Sequence, residues 1–213
     1  AFGLCATLAS AAVGPYLVQD LNPGINGGSS SYPDNVARLG GRLLFTADDG
    51  SRRGRWSLDL ATHETQMLDG TSWTSATDSV ISGPFAYWIT RDSDERLRVV
   101  RSDGTAAGTI TLAGLPSHQP SFLALDDLAR LGDGGAIFSG FDEEAGLEPW
   151  VTDGTPAGTR LLADLRPGPD SSRPSDFTRL GEETCFRAAA DFDTLFCAGS
   201  ISGDLRQVAS LYY

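Results

Sequence analysis

Lysine is missing from this 213-residue chain, methionine occurs once, histidine twice and cysteine three times. The shortage of lysine and methionine, with little helical periodicity, argues against a helix-rich protein. The two histidines, His63 and His118, fit no zinc motif and no recognisable catalytic triad. Positive charge is also scarce. Sixteen basic residues face 28 acidic ones, a net charge of −12, which disfavours nucleic acid and anionic lipid as partners because both need a basic surface. No apolar run is long enough to span a bilayer, since uncharged Ala1–Val13 is only 13 residues long. No glycine-rich phosphate loop opens a helix; the glycines recur with turns instead.

The opening run is small and apolar, and Ala9-Ser10-Ala11 has the small-x-small form of a leader cleavage site. Residues 1–14 are therefore expected to be the rear part of a signal peptide. The alternative is a buried first element of the fold. Cys5 follows Leu4 rather than a small residue, which makes it a poor lipoprotein cysteine. The expected location is secreted or cell-surface.

With 25 glycines and 11 prolines, the rest of the chain is rich in turns, and the turns repeat. Glu148-Pro149-Trp150-Val151-Thr152-Asp153-Gly154-Thr155 continues to Gly158-Thr159, and Ser102-Asp103-Gly104-Thr105 continues to Gly108-Thr109. Trp56 to Asp59 keeps the tryptophan and the aspartate. Leu17 to Gly24 matches Leu161 to Gly168, 144 positions apart, or three units of about 48. A second element is a glycine turn at Gly40, Gly83, Gly132 and Gly181, followed by an aromatic at Phe45, Trp88, Phe138 and Phe186. About eleven residues later comes Trp56, Val100, Trp150 or Phe196. Apolar residues alternate with polar ones in these segments, the period-two pattern of half-buried strands. One unit reads as four short strands. In the third they fall near Leu128–Leu131, Ala136–Gly140, Glu148–Thr152 and Thr159–Leu162. Asp-Gly before the last strand favours a tight hairpin. Four strands in about 48 residues is the size of a β-propeller blade, and blades must stack to bury both faces. The expected fold is all-β and β-propeller-like, an incomplete ring of a larger propeller. Residues 15–213 would form it, with units near 17–60, 61–103, 104–153 and 154–200.

These residues resemble the ELWxxDGT repeat family of large bacterial exported proteins. In Glu148 to Thr155 only the Leu of the motif is replaced, by Pro149. The matching residues are Trp56 and Asp59, then Asp103, Gly104 and Thr105, then Trp150, Asp153, Gly154 and Thr155. The Asp20-Leu21-Asn22-Pro23-Gly24 and Asp164-Leu165-Arg166-Pro167-Gly168 segments, each followed by serines, support the match. The resemblance implies a propeller-like exported protein with further repeats in the same polypeptide. The first copy departs from it at Leu60-Ala61-Thr62, the second lacks the Trp, and the last, Asp193 to Ser200, has lost Asp-Gly-Thr.

The Asp-Gly-Thr copies offer hard oxygen donors suited to Ca²⁺, but one carboxylate per copy reads first as a hairpin turn. The acidic loops Asp92, Asp94, Glu95 and Asp142, Glu143, Glu144 are the better metal candidates, against the plainer reading of solvated loop tips. Trp56, Trp150 and Trp88 read as core, whereas Trp73, in a polar run, is the ligand candidate for stacking on sugar. Cys185 and Cys197 lie 12 apart on two strands joined near Asp191, and an exported protein can oxidise them. The functional expectation is a non-catalytic binding or adhesion scaffold for an extracellular glycan or protein, with specificity in loops such as 26–32, 92–96 and 142–146. The alternatives are a glycoside-hydrolase-type propeller enzyme and a structural spacer.

Overall fold

The computed structural model describes residues 21–22, 30–70, 78–91, 97–114, 128–132, 134–190 and 192–210. The leader-like segment, Cys5, Trp73, His118, Asp191 and the loop with Asp92, Asp94 and Glu95 lie outside these residues. Four antiparallel sheets follow one another, each a meander of four strands. The first holds β1 (Asp34–Leu39), β2 (Arg42–Asp48), β3 (Arg53–Asp59) and β4 (Thr65–Gly70). The second holds β5 (Val80–Ser82), β6 (Phe85–Arg91), β7 (Leu97–Ser102) and β8 (Ile110–Gly114). The third holds β9 (Leu128–Arg130), β10 (Ala136–Asp142), β11 (Gly146–Thr152) and β12 (Arg160–Leu161), and the fourth β13 (Ser175–Leu180), β14 (Glu183–Ala189), β15 (Asp193–Ala198) and β16 (Leu205–Ser210). The sheets are offset from the sequence units: a unit ending at residue 60 leaves β4 to the next unit, although β4 pairs with β3.

Strand alternation makes this a stack. The aromatics after the glycine turns pair directly with the recurring residues eleven positions on: Phe45 with Trp56, Trp88 with Val100, Phe138 with Trp150 and Phe186 with Phe196. Each aromatic points back toward the preceding sheet. Trp88 joins Leu39 and Leu44 of the first sheet, Phe138 joins Tyr87 and Val99 of the second, and Phe186 joins Ile137 and Val151 of the third. The residue before each aromatic points forward, so Leu44, Tyr87 and Ile137 pack against the next sheet. Both faces of the second and third sheets are thereby buried, at roughly 1.5–3 kcal/mol per large apolar side chain. Trp150 packs between the second and third sheets as expected. Trp56, expected between blades, instead lies half-buried on the face of the first sheet turned away from the second.

The first strands form the inner edge, with β1 against β5, β5 against β9 and β9 against β13; β13 and β1 make no comparable contact. Among the described residues the ring is open. Gly40, Gly83 and Gly181 adopt φ of 57°, 57° and 62° at their turns. In the third sheet the longer turn moves this role from Gly132 to Gly134, with φ 91°, because Leu131 N–H reaches past it to the Gly135 carbonyl at 2.9 Å. No helix among the described residues is long and apolar enough to cross a membrane.

Candidate functional site

The Asp-Gly-Thr loops are closed by their own side chains. Asp153 Oδ1 accepts the Thr155 N–H and the Thr155 hydroxyl, both at 2.7 Å. Thr155 Oγ1 in turn accepts the Gly158 N–H at 3.0 Å, and the Thr159 hydroxyl donates to the Thr155 carbonyl at 2.7 Å. The Asp103 loop repeats each bond, with Thr105, Gly108 and Thr109 in the same roles. A Cβ on Gly158 or Gly108 would fall 2.2 or 2.1 Å from the aspartate carboxylate, which explains the second glycine of the motif. The threonine bonds hold both carboxyls below the usual carboxylate range. These connections run through Asp103–Thr109 and Asp153–Thr159, so the expected tight hairpin is a longer, side-chain-stapled loop. In the first copy Asp59 keeps the role, accepting the Ala61 and Thr62 amides at 2.9 and 3.1 Å without the glycines.

Asp142, a candidate metal ligand beside Glu143 and Glu144, likewise accepts backbone amides, those of Glu144 and Ala145 at 2.8 and 3.2 Å. Among the described residues no three His, Cys, Asp or Glu side chains converge to hold a metal ion. The cysteines face each other across β14 and β15, and Cys185 and Cys197 are joined as a disulfide.

Glu148 is fully buried on β11. One oxygen accepts the Ser172 N–H at 2.8 Å; the other accepts the Leu165 N–H at 3.0 Å and the Ser172 hydroxyl at 2.6 Å. Burial pushes its carboxyl above the ordinary range, against the pull of these three donors. The first residue of the Glu-x-Trp motif thus clamps both ends of the Leu165–Ser172 segment that feeds the fourth sheet. Sequence reasoning paired neither the two motifs nor their roles. A second feature it missed is the Ser-x-Pro-x-Asn/Asp run. Tyr32 and Asn35 (φ 41° and 51°) match Arg173 and Asp176 (φ 51° and 61°) in conformation. Both runs lead into a bulge at the same place in β1 and β13, and Asn or Asp at the bulge suits the left-handed region.

Two cavities are walled by described residues. One of about 510 Å³ sits beside the β3–β4 turn, lined by Arg42, Asp59, His63 and Gln66. Its Arg42–Asp59 ion pair of 2.9 Å and the bonds of Gln66 to Gly104 and Ala106 belong to the seam between the first two sheets. The other, of about 560 Å³, opens at the inner mouth, where the first hairpin turns of the second, third and fourth sheets meet. Pro84, Arg130, Gly132, Gly134, Arg179 and Glu182 are among its walls. Both volumes are of small-ligand size.

No family model and no curated protein sequence matches the chain. Among solved structures, it is similar to the β-propeller domain of the Trilobed protease from Pyrococcus furiosus, with 8% identity, a TM-score of 0.51, and 85% of this chain against 57% of that one. It is also similar to a prolyl endopeptidase, with 10% identity, a TM-score of 0.52, and 86% of this chain against 30% of that one. TolB from Acinetobacter baumannii aligns at 10% identity with a TM-score of 0.47, covering 80% of this chain and 41% of that one. The chain therefore spans well under two thirds of these proteins. Together with the four stacked meanders, the likeness to the first two defines the class: an all-β, β-propeller-like repeat fold.

Proposed function

We propose that this chain is an exported or cell-surface repeat protein of the ELWxxDGT type, acting as a non-catalytic binding or adhesion scaffold for an extracellular glycan or protein. The observation that carries the reading is the use of the motif's own reactive-looking groups. Asp103 and Asp153 staple their loops, and Glu148 is saturated by three donors. The repeats are thereby devoted to rigidity, leaving the cavity at the inner mouth and the variable loops as places for a ligand. The test is binding of residues 15–213 to a glycan array and to a panel of extracellular matrix proteins, with calcium and with EDTA. Reproducible hits without turnover of the bound glycan support the scaffold. Cleavage of a glycan by the folded chain would make it an enzyme, and blank arrays from folded protein would leave only the spacer role.

A further inference from the structure

The cavity at the inner mouth has two arginines, Arg130 and Arg179, and one carboxylate, Glu182, among its walls. Arg130 on β9 and Arg179 on β13 hold equivalent places, each one residue before the Leu-Gly of its turn. The two strands are neighbours at the inner edge, and both residues border one cavity. Arg179 bonds only partly: its Nη2 donates to Glu182 at 3.1 Å, while Nε and Nη1 are shielded from solvent with no acceptor among the described residues. Donors withdrawn from water and unpaired are costly, and a guanidinium cannot relieve that by losing its proton. Glu182 is a loose partner, with its side chain 94% exposed, and an exposed ion pair of that kind contributes little. Gly132 lets the arrangement form, because a Cβ there would meet the Glu182 and Gly199 carbonyl oxygens at 3.0 Å and the Arg179 guanidinium at 3.5 Å.

We propose that this cavity is a binding site for a small-molecule oxyanion, a carboxylate or a phosphate, held by Arg130 and Arg179. A planar guanidinium offers two parallel N–H donors to such a group; in Arg179 each such pair includes Nη2, the donor that Glu182 holds, with Nε or Nη1 beside it. Glu182, which accepts from Nη2, swings into solvent when the anion enters. The cavity volume admits a sugar-sized body behind the anionic group. The proposal rests on the binding-scaffold reading only in supposing that the fold serves a ligand.

The test is isothermal titration of the folded chain with glucuronate, glucose 6-phosphate and glucose. The expected result is binding of at least one of the two anions and none of glucose. Arg179→Met and Arg130→Met should each weaken it by about tenfold or more, the loss of a charge-assisted hydrogen bond. Glu182→Gln should tighten it several-fold; its side chain lies in solvent, so this variant stays informative if an arginine variant fails to fold. Glucuronate alone binding assigns a carboxylate, and glucose 6-phosphate alone assigns a phosphate. No binding of either anion to folded wild type, or equal binding to the double arginine variant, overturns the site. Array hits from a chain that binds neither anion would keep the scaffold and remove this site, whereas anion binding with blank arrays would keep the site and remove the glycan.

Discussion

Removing Glu148 tests how the sheets are joined. Glu148→Ala leaves the Leu165 N–H, the Ser172 N–H and the Ser172 hydroxyl without an acceptor in a buried place. Hydrogen bonds to a charged acceptor contribute about 1.5–3 kcal/mol each. Against their sum stands the cost of keeping a carboxylate out of water, the same burial that raises its pKa. The expected net loss is about 2–4 kcal/mol. Glu148→Gln retains one acceptor and should lose about half as much. Glu148 binds its proton more readily in the folded state, so its contribution is most favourable below the ordinary value of 4.5 and declines as pH rises through the raised folded value. The stability gap between wild type and Glu148→Gln should therefore narrow with rising pH across that window. Urea unfolding at several pH values measures the gap, and hydrogen exchange at Leu165 and Ser172 reports the local release. An Ala variant within about 0.5 kcal/mol of wild type, inside the range of an ordinary surface substitution, with unchanged exchange at both amides, would refute the clamp.

Other outcomes follow from the loops and the disulfide. Asp153→Ala should destabilise by about 1 kcal/mol, as lost caps do, with Asn nearly neutral because its carbonyl oxygen can accept the same two bonds. Gly158→Ala removes the same carboxylate from its place, so the double variant should cost less than the sum of the singles; additive losses in urea unfolding would mean the two are independent. The Asp153 carboxyl lies below its ordinary value of 3.8, so its contribution is present above that pH and is lost as pH falls through the folded value. Wild type should accordingly lose stability relative to Asp153→Asn in acid unfolding below that point, and parallel curves would contradict it. Thiol titration of the 213-residue chain in denaturant without reductant should find one reactive cysteine, Cys5, rather than three. Replacing both bonded cysteines by alanine should cost about 2–3 kcal/mol for so short a closed loop, and no change in the urea midpoint would show the bond to be idle.

The strands were legible because their signal is local. Period-two alternation and a turn every few residues placed β9 to β12 to within a few residues, and the recurring positions about eleven residues apart turn out to be cross-strand partners in every sheet. The Asp-Gly-Thr loops were legible as turns for the same reason, since the Asp and Thr side chains that close them bond residues two to four positions away. The Glu148 clamp was not, because a carboxylate on β11 and a serine 24 residues on become partners only when the chain folds back over a sheet. The inner-mouth cavity was hidden more deeply. Arg130 and Arg179 look like ordinary surface charges one residue before a turn, and only the adjacency of β9 and β13 brings them to one wall.

The orientation rule also explains where the disulfide lies. In the first three sheets the residue before the post-turn aromatic faces forward, and Leu44, Tyr87 and Ile137 each bury it against the following sheet. In the fourth sheet that position is Cys185, and its cross-strand neighbour Cys197 stands where the third sheet has Val151. Among the described residues no sheet packs on the forward face of the fourth sheet as closely as the first three pack on their followers, yet both cysteines are buried there. A covalent bond joins the two middle strands at the positions where the third sheet has the apolar pair Ile137 and Val151. The first sheet, whose backward face carries half-buried Phe45 and Trp56, has no such bond. The two ends of the stack are therefore unequal: the fourth sheet is fastened by chemistry and the first by hydrogen bonds and partial burial. Amide exchange should accordingly begin in β1 to β4 before β13 to β16, and reduction of the disulfide should reverse or abolish that order.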